Sequence, residues 1–284
     1  MDFFSLKTIR LPTIRLLSDT VMKYLDLKRD PAQLSNFISD LLSNLQNELH
    51  DNNPEVRASA VQQLVFLNSV GYDTTWADFS VLDVMSIDNF SCKRIAYTAA
   101  SQSWNPHSDV VLMATNRIQK DLNSNNPLFT TVVLSSITPF LSPQLSQDIA
   151  SDIILQLNSS QAKIRQRAAV TFYHICLKYP DTLRAGFASL KSRLNDEDNS
   201  VVFSVLTVMV ELCQINPRNF IGFIPKIFKM LNNCSSDWIN LRLITLLRIL
   251  STVEPRLPKK LIQPLTIVLE TTPSVFVMYE CVRT

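Results

Sequence analysis

Three groups of side chains in this 284-residue chain are of types that could do chemistry. His174 stands two residues from Cys176, a spacing that suggests a metal pair. The run Asp196-Glu197-Asp198 gathers three carboxylates. Basic residues collect at Arg10, Arg15 and Lys23, at Lys163, Arg165 and Arg167, and at Lys259-Lys260, where an anionic partner could pair with them. The first two groups lead away from catalysis. His50, His107 and His174 have no H-x-x-x-H or H-x-E partner, and no C-x-x-C occurs among the five cysteines. Cys176 recurs as Cys213 after 37 residues, which reads as a small buried core position. The carboxylate run falls in a predicted turn, where it caps the next helix. Acid–base catalysis would need a pocket around it.

Glycine sets a wider exclusion. Only Gly71, Gly186 and Gly222 occur, too far apart for a P-loop, a dinucleotide-binding turn or a nucleophile elbow. Tight hairpin turns also depend on glycine, so all-β architectures are disfavoured. No catalytic residue, cofactor or metal is expected. Five widely spaced cysteines point to reduced thiols of a cytosolic protein. The net charge of +2 argues against nonspecific nucleic-acid binding. The longest apolar stretch, Val201 to Ile215, is too short and too interrupted to span a membrane. The first residues lack the small-residue cleavage site of a signal peptide.

The elements that position these residues show themselves as a repeat. Leu49, Met85, Leu122, Leu157, Leu194, Leu231 and Leu269 recur at steps of 36, 37, 35, 37, 37 and 38. After each comes a polar turn and a new apolar segment, opening at Val56, Lys93, Phe129, Ile164, Val201, Ile239 and Phe276. Asn53-Pro54, Asn105-Pro106, Asn126-Pro127 and Thr272-Pro273 pair a capping residue with a proline tolerated in the first helical turn. Pro180, Pro217 and Pro258 open the first helix of three consecutive units, while Pro225 and Pro264 fall in a first turn or cause a kink. Apolar residues in the segments recur with a period near 3.6. Units of this size match helical repeats. The expected fold is all-α: an α-α superhelix, a HEAT- or armadillo-like solenoid of about seven two-helix units. Residues 1–32 form a divergent N-terminal helical segment, and residues 33–284 form the solenoid trunk. Trp76, Trp104 and Trp238 are expected to pack in it.

One stretch is more specific than a generic repeat. Gly71-Tyr72-Asp73-Thr74-Thr75-Trp76, then Val84-Met85-Ser86, then Lys93-Arg94-Ile95-Ala96-Tyr97-Thr98-Ala99-Ala100-Ser101-Gln102-Ser103 resembles the large-subunit trunk of clathrin-associated adaptor complexes, the adaptins. Within that family it is most similar to the delta branch of adaptor complex 3. Thr115-Asn116-Arg117-Ile118-Gln119-Lys120-Asp121-Leu122, Lys178-Tyr179-Pro180, Glu254-Pro255-Arg256-Leu257 and Tyr279-Glu280-Cys281-Val282 extend the match in order over roughly residues 35 to 284. Gly71, Tyr72, Asp73, Trp76, Lys93 and Arg94 are its structural signature. Pro258 stands where the family usually has glycine. Arg57 alone stands where alpha-type adaptins carry a lysine cluster for phosphoinositides, so that lipid site is not carried over. The chain also stops within a unit, which implies a trunk truncated at its C-terminal end, with apolar surface left uncapped.

The resemblance implies a non-enzymatic scaffold of a heterotetrameric vesicle coat. Its partners would be sigma, medium and beta-type subunits, an Arf-type GTPase, and sorting signals of transmembrane cargo. It would sit peripherally on Golgi or endosomal membranes. Arg10, Arg15 and Lys23 would lie near the sigma subunit and meet acidic cargo signals; a solvated N-terminal helix is the plainer alternative. Lys163, Arg165, Arg167, Lys259 and Lys260 would face a partner or membrane, or only solvent. A generic HEAT-repeat scaffold, such as a nuclear transport receptor or phosphatase scaffold, is the rival reading. It lacks the Gly71–Trp76 and Lys93–Ser103 blocks.

Overall fold

The computed structural model describes residues 12–234 and 236–284. Arg10 lies outside the described residues. Fifteen α-helices follow one another, with no strand among the described residues. The first is α1 (Pro12–Leu27). Seven pairs follow: α2 (Pro31–Glu48) with α3 (Pro54–Val70), α4 (Asp78–Met85) with α5 (Phe90–Ser103), and α6 (Asp109–Leu122) with α7 (Pro127–Ser136). The remaining pairs are α8 (Pro143–Gln156) with α9 (Ala162–Lys178), α10 (Asp181–Ser192) with α11 (Asn199–Ile215), α12 (Ile224–Asn233) with α13 (Asp237–Ser251), and α14 (Leu257–Thr271) with α15 (Val275–Arg283). The expected all-α solenoid of seven two-helix units is therefore the fold. Short 3-10 segments at Thr75–Ala77, Thr138–Phe140, Arg193–Asn195 and Pro217–Phe223 border the first or second helix of some pairs. The chain divides into two compact units at Ile149, inside α8.

The second helices set the register. Each is preceded by a residue in extended backbone: Asn53, Asn89, Asn126, Gln161, Asp198, Ser236 and Ser274. Four of these caps accept a backbone N–H two residues on: Asn53 from Glu55 at 2.9 Å, Asn89 from Ser91 at 2.8 Å, Asn126 from Leu128 at 3.0 Å, and Asp198 from Ser200 at 2.8 Å. Each satisfies a donor that the helix itself leaves free, a contribution of about 1 kcal/mol. Asn105 and Thr272 were expected to cap as well, and do not. Asn105 closes a turn onto the His107 N–H at 3.0 Å, before α6 begins at Asp109. Thr272 accepts the Ser274 N–H at 3.2 Å, one step ahead of α15.

Counting from the caps corrects the sequence register at two units. The third residue after each cap is Val56, Cys92, Phe129, Ile164, Val201, Ile239 and Val277. Lys93 and Phe276 are each one residue out of line with the apolar series. Lys93 belongs instead with Arg57 and Arg165, at the fourth residue, and Phe276 is 69% exposed.

Second helices stack on second helices. In the first unit α3 packs on α5 and α5 on α7; in the second, α9 packs on α11, α11 on α13, and α13 on α15. A helix flanked on both sides has little polar surface to keep, which is why α11 buries Val201, Val202, Val205, Leu206, Met209 and Cys213 within one run. Tryptophan does not follow the expectation of packing. Trp104 is buried edge-on to Phe140, but Trp76 is 42% and Trp238 64% exposed.

Candidate interaction surfaces

Where the fourth residue after the cap is a cation, at Arg57, Lys93 and Arg165, it joins consecutive pairs. On α3, Arg57 donates to Asp83 of α4 at 2.6 Å. On α5, Lys93 donates to both carboxylate oxygens of Asp121, near the end of α6, at 2.9 and 3.0 Å, and to the Met85 carbonyl at 3.2 Å. On α7, the Thr130 hydroxyl donates back to the Leu122 carbonyl at 3.2 Å. On α9, Arg165 grips Asp196 with two bonds of 2.7 Å and donates to the Ser159 and Ser160 carbonyls at 2.9 Å. At Lys93, Thr130 and Arg165 the same side chain satisfies carbonyls just before its own helix, which would otherwise lack partners. Where it is a cation, it also reaches forward to the acid that ends the next first helix.

Burial grades these contacts. Lys93 and Asp121 are sealed, with side-chain exposures of 0% and 3%. Burial pulls the Lys93 ammonium below the ordinary lysine range, and the Asp121 carboxylate works against that shift. The Tyr97 hydroxyl donates to the same carboxylate at 2.9 Å, and burial pushes its own ionisation far up. The Asp196 carboxyl is held below the usual range chiefly by its hydrogen bonds to Arg165. Lys93 and Tyr97 of the signature block are therefore packing residues, and Arg94 beside them is exposed.

Gly71 has a backbone reason. It ends α3 at φ 107°, with its N–H on the Asn68 carbonyl and the Tyr72 N–H on the Leu67 carbonyl, both at 3.0 Å. This is a Schellman closure, which favours glycine. Asp73 accepts the Thr75 N–H and hydroxyl at 3.0 and 2.8 Å, bonds that hold its carboxyl below the usual range. Together they turn the chain and leave Trp76 and Phe79 exposed.

The basic residues separate. Lys163 and Arg167 are exposed on α9, but Arg165 is turned away from them into the Asp196 contact, so it is not part of an exposed edge. The helical period accounts for this: positions 163 and 167 share a face, and 165 lies about 200° around from 163. Lys259 and Lys260 are exposed in the first turn of α14, and Lys23 is exposed on α1, which also carries Arg15. Asp198 caps α11 as expected of the acidic run, while Asp196 is the Arg165 partner. His174 is half-buried, and no group of three or more His, Cys, Asp or Glu among the described residues is arranged to hold a metal ion. On α15, Val275, Phe276, Tyr279 and Val282 are 73%, 69%, 65% and 77% exposed.

Known proteins resemble the chain along nearly its whole length. The family described as Adaptin N terminal region matches residues 35–284. The chain is 38% identical over 94% of its length to AP-3 complex subunit delta-1 of Bos taurus, and 36% identical over 87% to AP-3 complex subunit delta of Dictyostelium discoideum. It spans 22% of the length of each of these relatives. Among structures, one described as a homology model of the full-length AP-3 complex in an intermediate open conformation superposes with a TM-score of 0.70 at 35% identity. That likeness covers 82% of this chain and 41% of the other. The helical pairs, the Gly71 closure and the matched span converge on one conclusion: the chain belongs to the adaptin family.

Proposed function

We propose that this chain acts as the N-terminal trunk of a delta-type large subunit of an AP-3-like adaptor complex, a non-enzymatic scaffold in vesicle-mediated cargo sorting. The observation that carries the reading is the 38% identity to a delta subunit, sustained over 94% of the chain. Generic helical-repeat scaffolds share the fold, and nothing observed favours them over the delta branch.

The trunk does its work by rigidity. Stacked second helices and the contacts at Arg57, Lys93 and Arg165 hold successive pairs in register, and the remaining helix faces stay available to partners. In this reading those partners are sigma, medium and beta-type subunits, with an Arf-type GTPase recruiting the assembly to Golgi or endosomal membranes. Peripheral attachment is consistent with the described helices, none of which is long and apolar enough to cross a membrane. Exposed Lys163, Arg167, Lys259 and Lys260 are candidates for partner or membrane contact. Arg10, Arg15 and Lys23 are candidates for the sigma-subunit and cargo-signal contact. The destination is a lysosome- or vacuole-like compartment. Co-expression with sigma, medium and beta-type subunits is the test: a stable complex retaining this chain is expected. A chain that stays alone, or that recovers a phosphatase or a Ran-like GTPase, overturns the reading.

A further inference from the structure

Charge divides unevenly between the two compact units. Residues 1–149 hold 11 Lys and Arg against 15 Asp and Glu, whereas residues 150–284 hold 16 against 10. A net of −4 and one of +6 lie behind the bland +2 of the whole chain. In the second unit the excess gathers on the first helices of two consecutive pairs. Residues 182–195 carry Arg184, Lys191 and Arg193 without a carboxylate, and residues 216–234 carry Arg218, Lys226 and Lys229 without one. Arg193 is engaged by Asp196. The other five cations form no ion pair among the described residues.

Four of these cations, Arg184, Lys191, Lys226 and Lys229, border the groove where α10 lies alongside the 217–233 segment. At one end Asn219 and Phe220 face Leu183, Arg184 and Phe187 across a recess of about 460 Å³. Its aromatic wall is fixed, because Phe187 meets Phe220 and Phe223 edge-on at 5.8 and 5.5 Å. Midway, the Lys191 ammonium lies 5.2 Å from the Phe223 ring centre. Burial, with the Lys191 charge second, lowers the pKa of half-buried Lys226, as expected where like charges face each other. At the far end Lys226, Lys229, Asn195 and Asn199 border a second recess of about 360 Å³. The acids nearby are mostly committed: Asp196 to Arg165 and Arg193, Asp198 to the start of α11. Asp181 is exposed and lines the first recess beside Arg184, where it opposes a peptide carboxylate, and Glu197 is exposed beyond the other end of α10.

We propose that the α10–α12 groove of the second unit docks an acidic peptide segment bearing one bulky apolar side chain. The apolar side chain enters the recess beside Phe187 and Phe220, and flanking carboxylates pair with Arg184, Lys191, Lys226 and Lys229. Charge complementarity selects the acidic partner, and the aromatic recess supplies an anchor pocket. A peptide fits better than a bilayer, because Phe187 and Lys226 are half-buried while Arg184, Lys191 and Lys229 are exposed: a narrow chain can reach both sets, whereas a flat anionic surface meets chiefly the exposed ones.

The test titrates the full chain into a fluorescently labelled short peptide of Asp and Glu flanking a single Phe, followed by anisotropy at low and moderate salt. Saturable binding is expected, weakened at least tenfold by the double substitution Lys226→Glu/Lys229→Glu, and weakened as much when the peptide Phe becomes Ser. Lys28→Glu/Arg29→Glu, an exposed pair just after α1, leaves it within twofold. Equal affinity for the Phe and Ser peptides overturns the proposal, and does so without any change to the protein. It is equally overturned if the peptide fails to bind while phosphatidylserine vesicles sediment the chain in a Lys226- and Lys229-dependent manner.

Discussion

Lys93 and Asp121 form a two-point charge contact closed to solvent, with Nζ 2.9 Å from one carboxylate oxygen and 3.0 Å from the other. Tyr97 and Arg117 converge on the same carboxylate, at 2.9 and 3.3 Å, and Lys93 also holds the last carbonyl of α4. This one point ties α4, α5 and α6 together. The counterpart one pair earlier, Arg57 to Asp83, leaves its carboxylate 66% exposed. The same register position therefore spans the range from a nearly free surface pair to a sealed network, and the two should behave differently when broken.

Lys93→Met leaves the buried carboxylate to Tyr97 and to Arg117 at 3.3 Å, whereas Asp121→Asn strands a buried ammonium. Asp121→Asn should cost about 3–5 kcal/mol, and Lys93→Met less. The double replacement Lys93→Met/Asp121→Asn removes both charges and should recover part of that loss. Arg57→Ala should cost about 1 kcal/mol or less. Urea unfolding of the four variants gives the comparison. Additive losses in the double variant would mean that the two residues act independently.

Asp78 supplies a pH dependence of the opposite sign to a paired carboxylate. Burial raises its pKa from 3.8 to about 6, with the neighbouring Asp73 charge adding to the shift and a 3.3 Å bond from the Ser103 hydroxyl opposing it. The folded state therefore holds this proton more tightly than the unfolded chain. Its contribution is most favourable below the unfolded value near pH 4 and is lost as pH rises through about 6. At pH 8 the ionised group costs up to about 3 kcal/mol, taking ~1.4 kcal/mol per unit. Asp78→Asn keeps the acceptor for Ser103, so it should raise the urea midpoint at pH 8 and leave it nearly unchanged at pH 4. An equal shift at both values would show that the charge is not the cause.

How much of this was legible depended on distance along the chain. Asn53-Pro54 and Asn126-Pro127 announce their helix starts locally, and the structure agrees. Asn89 has no proline after it, so the unit was aligned on apolar residues and Lys93 fell one place out of line. Arg165 looked like part of a basic edge because the three cations sit close in sequence, although the helical period already separates it from Lys163 and Arg167. Its partner, Asp196, is 31 residues away in the turn beyond the next first helix. The α10–α12 groove was the least legible feature. Its cations are dispersed along two helices with α11 between them, and the net charge averages the two units.

Gly186 and Gly222 are 36 residues apart and looked equivalent, yet their surroundings differ. A Cβ at Gly186 would lie 2.3 and 2.6 Å from Phe172 ring atoms and 3.0 Å from Ile154 Cγ1, while one at Gly222 meets nothing within 4 Å. Gly186 is what allows α10 to close on α9. Gly186→Ala should therefore destabilise by about 1–3 kcal/mol through overpacking, and Gly222→Ala should stay within about 0.5 kcal/mol of wild type. Thermal melts of the two variants decide the point. Matching melting temperatures would mean that the Phe172 ring turns aside without cost.

The five thiols should react in two classes. Burial pushes Cys176 up to about 12 and Cys213 up to about 11, and Cys92 and Cys281 are raised by burial as well. Only the thiolate is nucleophilic, so at pH 8 about one Cys176 thiol in ten thousand is reactive even when reagent reaches it. Cys234, in the turn between α12 and α13, is the one cysteine that is not buried. With a thiol reagent at pH 8, one equivalent should react quickly, and Cys234→Ser should remove that phase. The other four should follow the unfolding rate and become available together in guanidinium. Early labelling of Cys176, read by peptide mass spectrometry, would instead show that the α9–α11 seam opens without global unfolding.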